Sequence, residues 1–255
     1  MIENAWDEYR GWAKRSRDLQ NESQKWTTLA LLFAVLAAAL GAAAGQADTD
    51  VWWGRVLAFL AAACAAVVPV LGQDILAVGR EAAWIRARAT AEAIKSECYR
   101  FAAHVGDYAG ASAADLFRER RDKIIEEATR TGLTPSSDPA KVDARRPSEP
   151  VAPEWYLEHR VREQKTHYAI EQTENETRAR WLRQASLAAA VLAAVLGAAS
   201  STFGVSSLAP WIGVLTTLGT MIVAYGLMER RQYLAASYGA MVGALGRIEE
   251  RFANG

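Results

Sequence analysis

Charged and apolar positions separate into long blocks along the chain. A charge-free run covers 26–47, between Lys25 and Asp48, and is 22 residues long. A second covers 56–73, between Arg55 and Asp74, and is 18 residues long. A third covers 184–228, between Arg183 and Glu229; it is 45 residues long and SSLAPW (206–211) interrupts it. A helix rises about 1.5 Å per residue, so roughly 20 residues cross a hydrocarbon core of about 30 Å. The first two runs each hold one span and the third holds two, at about 26–47, 56–73, 184–203 and 209–228. Four such spans exceed what the core of a soluble protein of this length requires. The pattern predicts an all-α membrane protein with four transmembrane helices in two tandem hairpins.

The polar stretches carry a second periodicity. Ile94, Cys98, Phe101, Ala102, Val105 and Tyr108 recur at helical spacing, as do Leu234, Tyr238, Met241, Val242, Leu245, Ile248 and Phe252. Each set is one apolar face at a 3.6-residue period. Long amphipathic helices that pack into a bundle, continuous with the spans, are the expectation. The bundle is predicted to be cytoplasmic, because Lys and Arg concentrate on one side. Residues 1–25 carry five, 74–180 carry eighteen and the tail after Met228 carries four, against one in 48–55 and none in 201–211. By the positive-inside rule both termini and the middle segment are cytoplasmic. Trp26, Trp52, Trp53, Trp181 and Trp211 fall at span ends, where amphipathic rings prefer to sit.

The chain repeats itself. AVLAAALGAAA (34–44) aligns with AVLAAVLGAAS (190–200), and each half reads polar helix, span, short loop, span, polar helix. This gives a first unit over 1–130, with 79–130 as its closing polar helical segment, and a second over 154–255. Between them lies 131–153, which holds five of the seven prolines and is expected to be an extended, solvated linker. No short basic-then-apolar leader opens the chain, so a cleaved signal peptide is not expected. Cys64 and Cys98 lie in different environments, one in a span and one in a charged segment, so no disulfide is expected.

Composition adds exclusions. The formal net charge is zero, so no basic excess points to nucleic acid. His104, His159 and His167 have no metal-ligand partners at a recognisable spacing, and no phosphate loop, nucleophile elbow or nucleotide fingerprint occurs. The protein is expected to be neither an enzyme nor a cofactor carrier. Inside the spans, Gly41 and Gly45 form a GxxxG, and Gly197 with Ser201 a small-xxx-small equivalent, spacings that favour close helix packing in lipid. Pro69 either kinks the second span beside an interfacial Gln73–Asp74 pair or makes a hinge or pore mouth. Thr216, Thr217 and Thr220 either line a water path or bond their own helix carbonyls. No Asp, Glu, Lys, Arg or His sits mid-span, which weighs against a proton relay or voltage sensor and leaves a wide or hydrophobically gated pore.

Two polar strings go further. WIRARATAEAIKSECYRF (84–101), followed by GDY (106–108), resembles the segment after the membrane hairpin in SLATT proteins, the SMODS and SLOG-associating two-transmembrane effector domains. YLEHRVREQKTHYAIEQTENETRARW (156–181) resembles the segment before the hairpin in another branch of that family. The matching positions are Trp84, Arg88, Glu92, Lys95, Glu97 and Tyr99, with Tyr156, Arg160, Gln164 and Tyr168. The resemblance implies two SLATT units in tandem and an effector in the inner membrane of a bacterium, within a conflict or antiphage system. Such a protein would oligomerise into a pore or ion channel in response to a nucleotide-signalling partner. This chain carries no fused nucleotide-synthesising or nucleotide-sensing domain, so the resemblance implies a separately encoded partner. A non-conducting scaffold that displays the bundle to a partner is the alternative.

Overall fold

The computed structural model describes residues 1–47, 52–75, 78–138, 146–147 and 149–254. The acidic positions of the first hairpin loop (Asp48, Asp50), the side chains of Gln73 and Asp74, and much of the 131–153 linker lie outside the described residues. The described residues are mostly helical, with no strand among them. The helices are α1 (Ile2–Ala44), α2 (Trp52–Ile75), α3 (Val78–Ala102), α4 (Ala113–Thr129), α5 (Pro153–Tyr156), α6 (Glu163–Phe203), α7 (Ala209–Met228) and α8 (Arg231–Asn254). Four of them are long and apolar enough to cross a membrane. The all-α membrane architecture read from the sequence therefore holds.

Two helices are much longer than a span. α1 has 43 residues and α6 has 41, so each extends about 60 Å at 1.5 Å per residue. Neither contains proline, and their middles are rich in alanine and other straight-chain helix formers, so nothing stops the helix where polar gives way to apolar. α6 ends at Gly204, which adopts the left-handed conformation (φ 68°) that closes many helices. Pro210 then stands in the first turn of α7, where its missing N–H costs nothing.

Contacts divide the chain into two compact units, one of Met1–Thr27 with Gln73–Tyr156 and one of Thr28–Gly72 with Leu157–Gly255. The first unit has a conventional core. Trp12, Phe117, Cys98, Ile94 and Tyr108 are almost completely buried, and Phe101 lies 4.7 Å from Phe117, centroid to centroid. The continuous helix expected through Val105 and Tyr108 does not form. α3 stops at Ala102; His104 (φ 51°) and Gly106 (φ 62°) reverse the chain, and a 3-10 turn over Gly106–Ala109 returns Tyr108 to the core. Val105 is left exposed. The helical segment expected over 79–130 is accordingly two helices, α3 and α4.

The linker, expected to be extended and solvated, is exposed over most of its described residues and is anchored at a few points. Leu133 and Val151 are buried, the Val151 N–H donates to the Ala102 carbonyl at 2.9 Å, and the Ser136 N–H donates to the Gly11 carbonyl at 3.1 Å. The first bond satisfies a terminal carbonyl of α3. At Gly11, a Cβ would stand 3.2 Å from both the Pro135 side chain and the Ser136 carbonyl, so the glycine is what allows this close approach.

In the second unit α6 pairs with α7 and α8 through small residues. A Cβ at Gly219 would meet Ala189 at 3.5 Å, one at Gly226 would meet Leu182 at 3.6 Å, and one at Gly239 would meet Gln172 at 3.3 Å. Ala189, Ala193 and Ala235 are the buried apolar residues of these three helices. Glu249 of α8 accepts from Arg162 at 2.8 Å and from Lys165 of α6 at 2.9 Å.

Candidate functional site

The first of the two polar strings (84–101) occupies α3 and is turned largely into the bundle. The Trp84 carbonyl accepts the buried Ser16 hydroxyl of α1 at 3.1 Å. Lys95 Nζ stands 5.1 Å from the centre of the Tyr9 ring, a cation–π contact. Tyr99 lies edge-on to Trp6 and to Tyr156, each at 5.8 Å. Arg88 and Glu92 pair at 4.0 Å on the exposed side, where an ion pair contributes little.

Glu97 forms the centre of a polar knot. Its carboxylate accepts from the Tyr108 hydroxyl, from Arg100 at 3.0 Å, and faces Arg120 at 3.8 Å. Arg100 and Arg120 also lie against the Tyr108 ring, at 5.9 and 5.5 Å. Burial, reinforced by the bond to Glu97, pushes the Tyr108 phenol up to about 12. The knot therefore holds a neutral tyrosine that donates to a carboxylate, with Arg100 and Arg120 facing Glu97 and with Asp107, which also accepts from Arg120, as the second carboxylate. Nearby, burial foremost raises the Glu8 carboxyl, with Arg121 opposing at 3.6 Å. Cys98, fully buried beside Glu8 and Glu97, is pushed up to about 12 and stays a thiol.

The second string is divided. Tyr156 ends the first unit. Leu157–Arg162 forms a π-helical stretch that carries Arg160, and Gln164 and Tyr168 follow on α6. Tyr168 stacks on Tyr238 of α8, with centroids 5.6 Å apart and planes 21° apart. Tyr168 thus binds α6 to α8, much as Tyr99 binds α3 to α1. The core aromatics Trp6, Tyr9 and Trp12 and the buried Ser16 were not singled out from the sequence. Their signal was available: Ile2, Ala5, Tyr9, Trp12 and Ser16 recur at helical spacing and are all buried.

Within the spans the candidate residues behave differently from one another. The hydroxyls of Thr216, Thr217 and Thr220 donate to their own helix, to the carbonyls of Ile212, Gly213 and Thr216 at 2.8, 2.8 and 2.9 Å. Gly197 faces Ile212, with 3.7 Å for an added Cβ. At Gly41 no described atom of another element lies within 4 Å, and at Gly45 only the carbonyls of Gly41 and Ala42 do. α2 runs helical through Pro69, with Gln73 and Asp74 in its last turn. No span buries more than 11% of its most apolar window within the chain. Among the described residues no three His, Cys, Asp or Glu side chains converge as metal ligands.

Two family models match the chain. Residues 156–254 match SMODS and SLOG-associating 2TM effector domain 1. The second half is thus similar to SLATT effector domains. Residues 9–115 match a different model, a protein family of unknown function designated DUF4231. The SLATT match covers α6, α7 and α8, the long helix, hairpin and closing helix of the second unit. The DUF4231 match covers most of α1, with α2 and α3. No curated protein and no solved structure gives a significant match.

Proposed function

We propose that this protein is an oligomeric pore or ion channel, acting as a membrane effector in a bacterial antiphage or conflict system. The observation that carries the reading is the pairing of a two-transmembrane effector domain over 156–254 with four spans in whose most apolar windows at most 11% of the residues are buried within the chain. A span surface of this kind meets either lipid or further copies of the chain, and small-residue faces favour the latter. The reading places the protein in the inner membrane, with both termini and the first unit in the cytoplasm, following the Lys and Arg distribution. A nucleotide-signalling protein encoded separately supplies the trigger, and the protein itself performs no catalysis and binds neither cofactor nor nucleic acid. The two halves are read as tandem copies of one unit: α1 and α6 share their length and their polar-to-apolar order, although different family models match them.

A non-conducting scaffold is the second reading. It is favoured by the threonines of α7, whose hydroxyls are satisfied within their own helix and leave no demand for a water path. Ion flux from liposomes that contain the purified protein separates the two. The pore reading expects flux that changes in Thr217→Leu or Thr220→Leu if α7 lines the path. A monodisperse sample that stays sealed, with and without the triggering partner, favours the scaffold.

A further inference from the structure

α6, α7 and α8 enclose a cleft of about 400 Å³ at the end of the second hairpin. Its lower wall belongs to the membrane span. Val223 and Leu227 line it and are 50% and 73% exposed, and Gly226 keeps the floor open beside Leu182. Its upper rim is basic. Arg183, Arg230 and Arg231 all line it, at the point where α6 enters its apolar run and α7 leaves it.

The three arginines are not equivalent. Arg231 is committed: it donates to Asn175 Oδ1 at 3.0 Å and pairs with Glu229. Asn175 is itself buried and donates to the Glu171 carbonyl at 2.7 Å, so this network fixes α8 against α6. Arg183 and Arg230 are exposed and have no acidic partner among the described residues. Arg230 adopts φ 47°, a left-handed conformation unusual for a side chain other than glycine, asparagine or aspartate. That residue breaks the helix between α7 and α8 at the cleft itself. A strained backbone that sets a free guanidinium at a lined cavity is a feature of binding sites.

We propose that this cleft binds an anionic phospholipid of the leaflet at the Arg183 end of the hairpin. The phosphate lies between Arg183 and Arg230, and one acyl chain lies along Val223 and Leu227. The cleft joins a basic rim to a lipid-exposed apolar wall, which matches a molecule whose charge and hydrocarbon are covalently joined. A soluble anion would use the rim alone. Basic pockets between transmembrane helices on the cytoplasmic side are suited to such head groups. The inference rests on the spans crossing a bilayer and is independent of whether the protein conducts.

Native mass spectrometry of the full-length protein in mild detergent tests it, with phosphatidylglycerol and phosphatidylcholine of identical chains as probes. Phosphatidylglycerol is expected to remain bound where phosphatidylcholine does not. Arg183→Gln and Arg230→Gln should each weaken binding roughly fivefold, the value of one basic residue near an anionic lipid. Arg183→Lys keeps the charge and should retain most of the affinity, and Arg178→Gln, whose arginine pairs with Glu174 on the same helix, should change nothing. Because Arg183 and Arg230 are exposed, their variants leave the packing of α6 intact. Equal retention of phosphatidylcholine, or unchanged affinity in the double glutamine variant, would overturn the proposal. So would displacement of the lipid by glycerol 3-phosphate at equal concentration, which would mark a site for a soluble anion.

Discussion

The two compact units are held together by different means. In the first, large side chains are sealed from solvent: Trp12, Phe117 and Tyr108 are buried to within 1%. In the second, the described buried residues are mostly small, Ala42, Ala189, Ala193 and Ala235 with Leu71, Val161 and Asn175, while Phe59, Leu227 and Phe203 stand more than 70% exposed. The first unit follows the rule for water, where burial of large apolar groups drives folding. The second follows the rule for lipid, where bulky residues face outward and small ones let helices approach. A single chain therefore completes its polar bundle but not its membrane surface.

The largest expected effect is on the sealed core. Phe117→Ala should destabilise the first unit by about 3–5 kcal/mol, the usual cost of deleting a buried phenylalanine side chain. Labelling of Cys98 reads this out. The buried thiol, raised to about 12, should resist maleimide in the parent protein and react in the variant as the unit opens. Unchanged protection would mean that the core does not depend on this ring.

Tyr108→Phe is a smaller perturbation of the same unit. It removes the donor to the half-buried Glu97 carboxylate while Arg100 and Arg120 remain, and should cost about 1–3 kcal/mol. Amide exchange in α3 and α4 should accelerate, with α7 and α8 unaffected. Equal acceleration in both units would erase the distinction drawn between them.

Acid should act on the units in opposite senses. Glu8 has a raised pKa, so the native state binds its proton more tightly than the unfolded chain does. Stability of the first unit should therefore fall as pH rises from about 4.5 through the raised value, and Glu8→Gln should flatten that slope. Glu249 has a lowered pKa through its bonds to Lys165 and Arg162. Its contribution is present above the ordinary carboxylate value and is lost as pH falls through the lowered one. Amide exchange across a mild acid series should show α8 loosening below the range in which Glu8 acts. The smallest effect is expected from Arg162→Gln, because this exposed pair is screened by solvent and salt; no change in melting at neutral pH is the expectation.

The spans were legible because length and apolarity decide them. Four helices are long and apolar enough to cross a membrane, as the apolar runs lead one to expect; α6 ends at Phe203 and α7 runs over Ala209–Met228. The amphipathic stripe of α3 was legible as far as Ala102, since Ile94, Cys98, Phe101 and Ala102 are all buried. Beyond it periodicity failed. Tyr108 shares the phase of the stripe, yet reaches the core through a left-handed reversal at His104 and Gly106 that helical spacing cannot encode. The points at which the linker is anchored were not legible for a related reason. Proline forbids helix but does not forbid packing, and Val151 and Ser136 supply backbone donors between prolines. Of the motif positions, Tyr99, Lys95 and Tyr168 prove to be contacts between helices. A family pattern alone could not distinguish that role from an exposed recognition surface.

The central claim is that the uncovered spans belong to an assembly of several copies. The most direct measurement is the mass of the full-length protein in lipid nanodiscs across a range of lipid-to-protein ratios. The account predicts one defined multimer that persists as lipid is added in excess. A monomer at high lipid ratio would show that lipid alone covers the spans, and would contradict it.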